Sequence, residues 1–247
     1  MKITEPLFIN NPLNKDLSRV GHLIRIGSIR DGGYYVTHRA VLESSFLISG
    51  GISFNAEFER DFHSINLDAQ IIMVDKSFSI IKNILRIPYW FIFKRSMLGY
   101  ISTSIDSVVL AWCFGVMRKF IGKEYGVNDI LRLVTKSGRG YIKLDIEGSE
   151  YEILIDLIKN EDHFNGVIIE FHDVDQHLEC INRYLGNSNL ELVDIHVNEI
   201  GGLGFGDLPK SIEVSLLRKE YCSRNDFEIY QSNRFSNLSS NRPIIVL

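Results

Sequence analysis

Seven short apolar runs recur along this chain: SFLISGG (45–51), AQIIMVDKS (69–77), MLGYIST (97–103), GYIKLDIEG (140–148), GVIIEFHD (166–173), LELVDIHVN (190–198) and SIEVSLLRK (211–219). Between most of them the apolar residues fall at helical spacing. Examples are Ile80, Ile81, Ile84 and Leu85, then Tyr151, Leu154, Ile155, Leu157 and Ile158, then His177, Cys180, Ile181 and Tyr184. Short strands alternating with helix-length segments predict an α/β sheet, Rossmann-like, with helices on both faces. The last two runs are joined by a glycine-rich loop rather than a helix, which allows them to pair antiparallel. The expected sheet is therefore seven-stranded and mostly parallel, with one antiparallel strand. Residues 1–40 read as an N-terminal extension packing on the ligand site, 41–222 as the main domain, and 223–247 as a tail rich in Asn and Ser.

Composition narrows the partners. A formal charge of −4 and a pI near 6.0 argue against a protein held to nucleic acid by a basic surface. Cys113, Cys180 and Cys222 are odd in number and far apart, a pattern of free thiols rather than of a disulfide framework or a zinc ribbon. The opening MKITEPLFINNPLNKD lacks the apolar stretch of a signal peptide. The longest apolar run, VVLAWCFGVM (108–117), is about half of what a membrane span requires. A cytoplasmic chain without a transmembrane segment is the expectation.

Ligands of open α/β sheets sit beyond the carboxyl ends of the strands, so the residues at those ends carry the functional reading. The first run ends in Ser49, Gly50, Gly51, Ile52, Ser53 and Phe54. Glycines there let a ligand approach the backbone beside a helix start. The second run ends at Asp75, about 25 residues after Gly50, a separation at which an acid can bond both hydroxyls of a ribose. Together the two features indicate an adenosine-type cofactor. SGGISF lacks the G-x-G-x-x-G spacing that a pyrophosphate requires, and a cofactor without phosphates, such as S-adenosylmethionine, is less demanding. The later GGLGFG (201–206) precedes no helix pattern and reads as a loop beside the substrate.

Three further runs end in acid or imidazole. The fourth leaves Asp145 and Glu147, the fifth Glu170, His172 and Asp173, and the sixth His196 and Asn198. Singly these have structural accounts: a helix cap for Asp145 or Glu147, an ion pair of Glu170 with Lys143, a core histidine at 196. Jointly they line a cleft suited to general-base chemistry, with His172 or His196 as the base, or to a divalent ion held by carboxylate and imidazole ligands. Glu150 reads as a group serving the start of the next helix, and Lys143 as a counter-charge for buried carboxylate.

The stretch YIKLDIEGSEYEIL (141–154) resembles the signature of the FkbM-type methyltransferase family, in which Lys-x-Asp-x-Glu-Gly-x-Glu closes the fourth strand of a class I fold. RDGGYYV (30–36), SGGISFNAEF (49–58), VIIEFH (167–172), IHVN (195–198) and LPKSIEVSLLRK (208–219) add to the likeness, which runs from about Arg25 to Lys219. The resemblance implies an S-adenosylmethionine-dependent O-methyltransferase acting on a sugar hydroxyl of a glycan, as in bacterial surface polysaccharide or O-antigen (lipopolysaccharide) biosynthesis. By analogy with metal-dependent sugar methyltransferases it allows a divalent metal such as Mg²⁺, and it also implies an acid at the end of the first strand to hold the methionine amino group. Ser49 and Gly50 stand there instead, which leaves Glu57 or Asp31 for that role. Tyr34, Tyr35 and Phe205 are candidates for stacking on a sugar, with ordinary packing favoured for Phe205. Two other functions compete: a nicotinamide-dependent enzyme on a similar sheet, and a non-catalytic binding module.

IPYWFIFKRSML (87–98) and VVLAWCFGVMRK (108–119) stand apart as apolar segments. Core packing is their default reading. Contact with a membrane surface or with a second subunit in a homo-oligomer is the alternative.

Overall fold

The computed structural model describes residues 23–28, 32–93, 99–198 and 202–222. An antiparallel hairpin opens it, β1 (Leu23–Gly27) with β2 (Gly33–Thr37), followed by the short helix α1 (His38–Leu42). Next come β3 (Phe46–Gly50), α2 (Glu57–Ile65), β4 (Gln70–Val74), α3 (Ile80–Phe93), α4 (Gly99–Phe114) and β5 (Val116–Met117). The second half contains α5 (Val127–Leu131), β6 (Gly140–Leu144), α6 (Leu154–Asn160), β7 (Phe164–His172), α7 (Val174–Asn187), β8 (Glu191–Val197) and β9 (Ser211–Leu217). The expected N-terminal extension and C-terminal tail fall largely outside the described residues, as does Asp31.

Seven strands form one sheet in the order β5-β4-β3-β6-β7-β9-β8. Pairings among β3, β4, β5, β6 and β7 are parallel, whereas β9 runs antiparallel to both of its neighbours. This is a mostly parallel, Rossmann-like sheet with one reversed strand. One strand lies elsewhere than expected. Residues 99–103 of the third run begin α4, and the strand beside β4 is the two-residue β5.

Alternation along each strand sends side chains to opposite faces, and both faces are buried. Ile48, Ile72, Ile142, Val167 and Val214 meet α5, α6 and α7 through Ile130, Leu157 and Ile181. Leu47, Ile71, Tyr141, Ile168 and Leu217 meet α2 and the hairpin through Phe58, Phe62, Ile26 and Val36. Phe58 and Phe62 stand one helical turn apart, so α2 docks by a single stripe. The chain steps outward from β3 to β5 and then returns to place β6 and β7 on the other side. The reversal leaves a crevice at the carboxyl ends of β3 and β6.

Candidate functional site

The crevice has a tightly built floor. Gly51 follows β3 with φ +76°, and a Cβ there would lie 1.5 Å from the carbonyl oxygen of Asp145. The loops after β3 and β6 therefore touch backbone to backbone, which only glycine permits. Asp145 N donates to Gly50 O (3.1 Å), Gly51 N to Val74 O (3.1 Å), and Lys143 Nζ to Gly51 O (3.0 Å). Above this floor lies a cleft of about 220 Å³. Val74, Phe120, Ile121 and Ile146 give it apolar walls, and Ser53, Asp75, Lys76, Ser77, Lys119, Asp145 and Glu147 give it polar ones.

Asp75 holds the cleft together from within. One carboxylate oxygen accepts from the amides of Ile52 (2.9 Å) and Ser53 (2.6 Å). The other accepts from Ser77 N (2.6 Å), Ser77 Oγ (2.7 Å) and Phe78 N (3.0 Å). A carboxylate has about four lone-pair sites, so this one is saturated by the protein. Asp75 thus ties the loop after β3 to the loop after β4, and the spacing with Gly50 reflects that tie. Ser53 is exposed with φ 49°. Gly50 is buried, where a Cβ would meet Ile121 Cδ1 at 2.6 Å. Glu57 begins α2 half-buried, and its carboxyl is raised by burial, with Arg60 and a hydrogen bond from Ser28 pulling the other way.

Beside the cleft, four carboxylates surround one imidazole. His172 closes β7, and its Nδ1 donates to Glu150 Oε1 (2.9 Å). Glu150 is fully buried and also accepts from His172 N (2.7 Å) and Gly148 N (2.8 Å). The ring is thus fixed in orientation and tautomer. Its Nε2 faces Glu147 at 3.5 Å and Asp145 and Glu170 at 3.8 Å each, beyond hydrogen-bond range of all three. Burial works against a charge on His172, but the hydrogen bond and charge of Glu150, with Glu170 and Asp145, carry its pKa up to about 9. Burial pushes the Asp145 carboxyl up to about 7, with Glu170 and Glu147 adding to the rise and Lys143 and His172 opposing it. One ligand atom each from Asp145, Glu147 and His172 lies within 4.8 Å of the others, a mixed oxygen and nitrogen set able to take a divalent cation.

The sheet face below the hairpin carries a second buried polar layer. Lys143 Nζ lies 3.9 Å from Glu59 Oε1, and both side chains are almost wholly enclosed. Ser49 Oγ donates to the same oxygen, while Glu59 Oε2 has no hydrogen-bond partner among the described residues. Glu170 accepts from Tyr34 OH (3.2 Å), Asn198 Nδ2 (2.9 Å) and Ser211 Oγ (3.1 Å). Lys143 also lies over the Tyr34 ring, 5.7 Å from its centroid. His196 stands on β8, separated from β7 by β9. It is buried against Tyr35, with Nδ1 3.7 Å from Asp194.

Asp145, Glu147, Glu170 and His172 are thus brought together, and His196 is placed apart from them under the hairpin. Glu150, read in the sequence as serving the next helix start, instead clamps His172, and Glu59 joins the site without having been singled out. Glu59 had a readable signal, an acid between Phe58 and Phe62 on the buried stripe of α2. Tyr34 is buried, and Phe205 is left exposed on the loop after β8.

No family model and no curated protein matches the chain. Among solved structures it is similar to a fibrillarin from Methanococcus jannaschii, at 11% identity over 83% of this chain and 85% of that one, with a TM-score of 0.40. A fibrillarin from Aeropyrum pernix in complex with S-adenosyl-L-methionine matches at 11% identity, covering 72% and 68%, with a TM-score of 0.38. A precorrin-6y C5,15-methyltransferase from Geobacter metallireducens matches at 11% identity, covering 73% and 83%, with a TM-score of 0.37. The fold assignment rests on the chain's own sheet order.

Proposed function

We propose that this protein is an S-adenosylmethionine-dependent O-methyltransferase that methylates a sugar hydroxyl, in the assembly of a bacterial surface polysaccharide. The observation that carries the reading is the shared wall. Asp145 and Glu147 line the switch-point cleft and at the same time face Nε2 of His172. A ligand in the cleft and an acceptor at the imidazole would therefore meet across two side chains.

The residues fit such a cofactor. Val74, Phe120, Ile121 and Ile146 suit an adenine, and the surplus of carboxylate suits a sulfonium cation. When bound, such a cofactor would supply a methyl group on positively charged sulfur, which the acceptor oxygen would take as the C–S bond breaks. The chain must align that oxygen and remove its proton. In this reading Asp145 takes the proton, a role supported by its position beside both the cleft and His172. His172, clamped by Glu150, positions the acceptor and holds the charge of Asp145. Where a divalent cation serves instead, Asp145, Glu147 and His172 would hold it, and it would acidify the hydroxyl. Asp75 shapes the cleft through the Ile52 and Ser53 amides. Phe205 is exposed on the loop after β8, its amide donating to Asp175 Oδ2 (2.9 Å), and would offer an aromatic face to a sugar.

Calorimetric titration with S-adenosylhomocysteine and with NAD tests the cofactor. Affinity for the first alone is expected, and affinity for NAD alone would transfer the protein to the nicotinamide reading. Incubation with labelled S-adenosylmethionine and glycan acceptors then tests the sugar. Label arriving only on nitrogen or carbon would overturn the O-methyl assignment.

A further inference from the structure

Over their described side chains, α3 and α4 expose apolar stripes and bury several polar groups. On α4, Thr103, Ser104 and Ser107 are buried with Leu110 and Ala111, while Ile105, Val109 and Trp112 face outward, Trp112 at 85% exposure. Those three stand at i, i+4 and i+7, so they form one stripe along the helix. On α3, Asn83 is buried, its Nδ2 donating to Ser53 O (3.1 Å) and Ser107 Oγ (3.1 Å). Ile81, Ile84 and Leu85 are exposed, Ile81 at 70% and Leu85 at 64%. A helix docked only on its own protein buries its apolar stripe and hydrates its hydroxyls. This pair does the reverse over two adjacent helices, which marks a contact surface.

Charge identifies the occupant. From Lys76 to Lys123 the chain carries eight Lys and Arg residues and a single acid, Asp106, although the whole chain has a formal charge of −4. Asp106 is engaged by Arg60. Lys82, Arg118, Lys119 and Lys123 are exposed. We propose that the α3–α4 hairpin docks the protein on an anionic lipid bilayer, its apolar stripes in the interface, with Lys82 of α3 and Arg118, Lys119 and Lys123 of the segment after β5 at the headgroups. An apolar helical surface flanked by basic residues can lie in the membrane plane in this way, held by buried apolar area plus attraction to acidic lipids. Among the described residues no helix is long and apolar enough to cross a membrane, so the contact is peripheral. A second copy is the poorer occupant, because a two-fold contact would set the same basic surface against itself. Lys76, Lys119 and Phe120, from the two ends of this segment, line the cleft, which brings the bilayer to the cleft's edge. The inference stands whether or not the cleft transfers a methyl group.

The test is co-sedimentation of the full chain with two kinds of vesicle. One is equal parts phosphatidylglycerol and phosphatidylcholine, the other phosphatidylcholine alone. Binding is expected on the anionic vesicles, weaker by about tenfold on neutral ones and weakened again by salt. Combined Ile81→Ser, Leu85→Ser and Trp112→Ser is expected to lower partitioning by about tenfold or more with an unchanged circular dichroism spectrum. Arg118→Gln with Lys123→Gln should weaken only the anionic component. Equal, salt-independent binding to both vesicles, or none to either, would overturn the proposal. So would a dimer in light scattering that the triple-serine variant converts to monomer without any loss of vesicle binding.

Discussion

The ends of β6 and β7 and the α3–α4 hairpin break the same rule in opposite directions. At the strand ends, Glu150 and Glu170 are charged groups taken out of water, and each is answered by several donors. On the hairpin, Ile81, Leu85 and Trp112 are apolar groups left in water, with nothing from the described chain over them. Burying carboxylate is tolerable only with partners at hand, whereas exposing apolar surface requires no internal compensation. The first departure is therefore built into the fold and the second is laid upon it. Substitutions should separate them sharply.

The largest effect belongs at the strand ends. Asp145→Asn should lower the methyl-transfer rate by about 10²- to 10⁴-fold, the usual range for losing a general acid or base, with the fold intact by circular dichroism. His172→Gln should reduce the rate in the same direction. Near-normal turnover in both variants would remove the chemistry from this cluster.

Next in size is the buried pair. Lys143→Met leaves Glu59 without its cation and should cost about 3–5 kcal/mol in urea unfolding. Adding Glu59→Gln should restore much of that loss. If the double variant is no more stable than the single one, the two groups are not answering each other.

A smaller effect follows from His172. Its pKa is raised, so the folded chain holds the proton more tightly than the unfolded chain does. The resulting stability is fully present below pH 6.5 and is lost as pH rises through about 9. The melting temperature should decline across that window, and His172→Gln should flatten the decline. A curve unchanged by the substitution would place the titrating group elsewhere.

Least affected should be the hairpin. Ile81→Ser or Trp112→Ser should move the unfolding free energy by no more than about 0.5 kcal/mol, as for ordinary surface changes. Phe58→Ala, in the core beneath the hairpin β1–β2, should cost about 3–5 kcal/mol. A core-sized loss at Trp112 would end the contrast, because it would show the residue packed against the protein itself.

Periodicity made most of this sheet legible and failed where length failed. Six of the seven apolar runs became strands. MLGYIST did not, because a short run of Tyr, Ile and Thr reads alike as a strand or as the start of a buried helix. The true strand in that place has only two residues, Val116 and Met117, too few for any pattern. Strand ends likewise delivered Asp145, Glu147, Glu170 and His172. Glu150 was hidden by its position: five residues after Asp145 it looks like the opening of a helix, while its partner His172 lies 22 residues away. Asp75 shows a second limit: its spacing from Gly50 suggests a ribose, while nothing local announces the amides of Ile52 and Ser53 that its carboxylate also serves. Local order shows in the sequence, and a hydrogen bond across the fold does not.

The bond from Tyr34 to Glu170 joins residues 136 positions apart and fastens the first hairpin over the site. During synthesis β1 and β2 emerge early, yet β7, which supplies their anchor, comes well after them, and β9, which flanks it, comes last. The roof can rest early on α2, through Phe58 and the bond from Gly27 N to Asp61 Oδ2 (2.9 Å), but its anchor on the sheet waits until nearly all the strands have left the ribosome. Nascent chains arrested before Ser211 should therefore be cut by protease within residues 23–37, and full-length chains should be protected there. Equal protection in both would mean that the hairpin folds without its anchor.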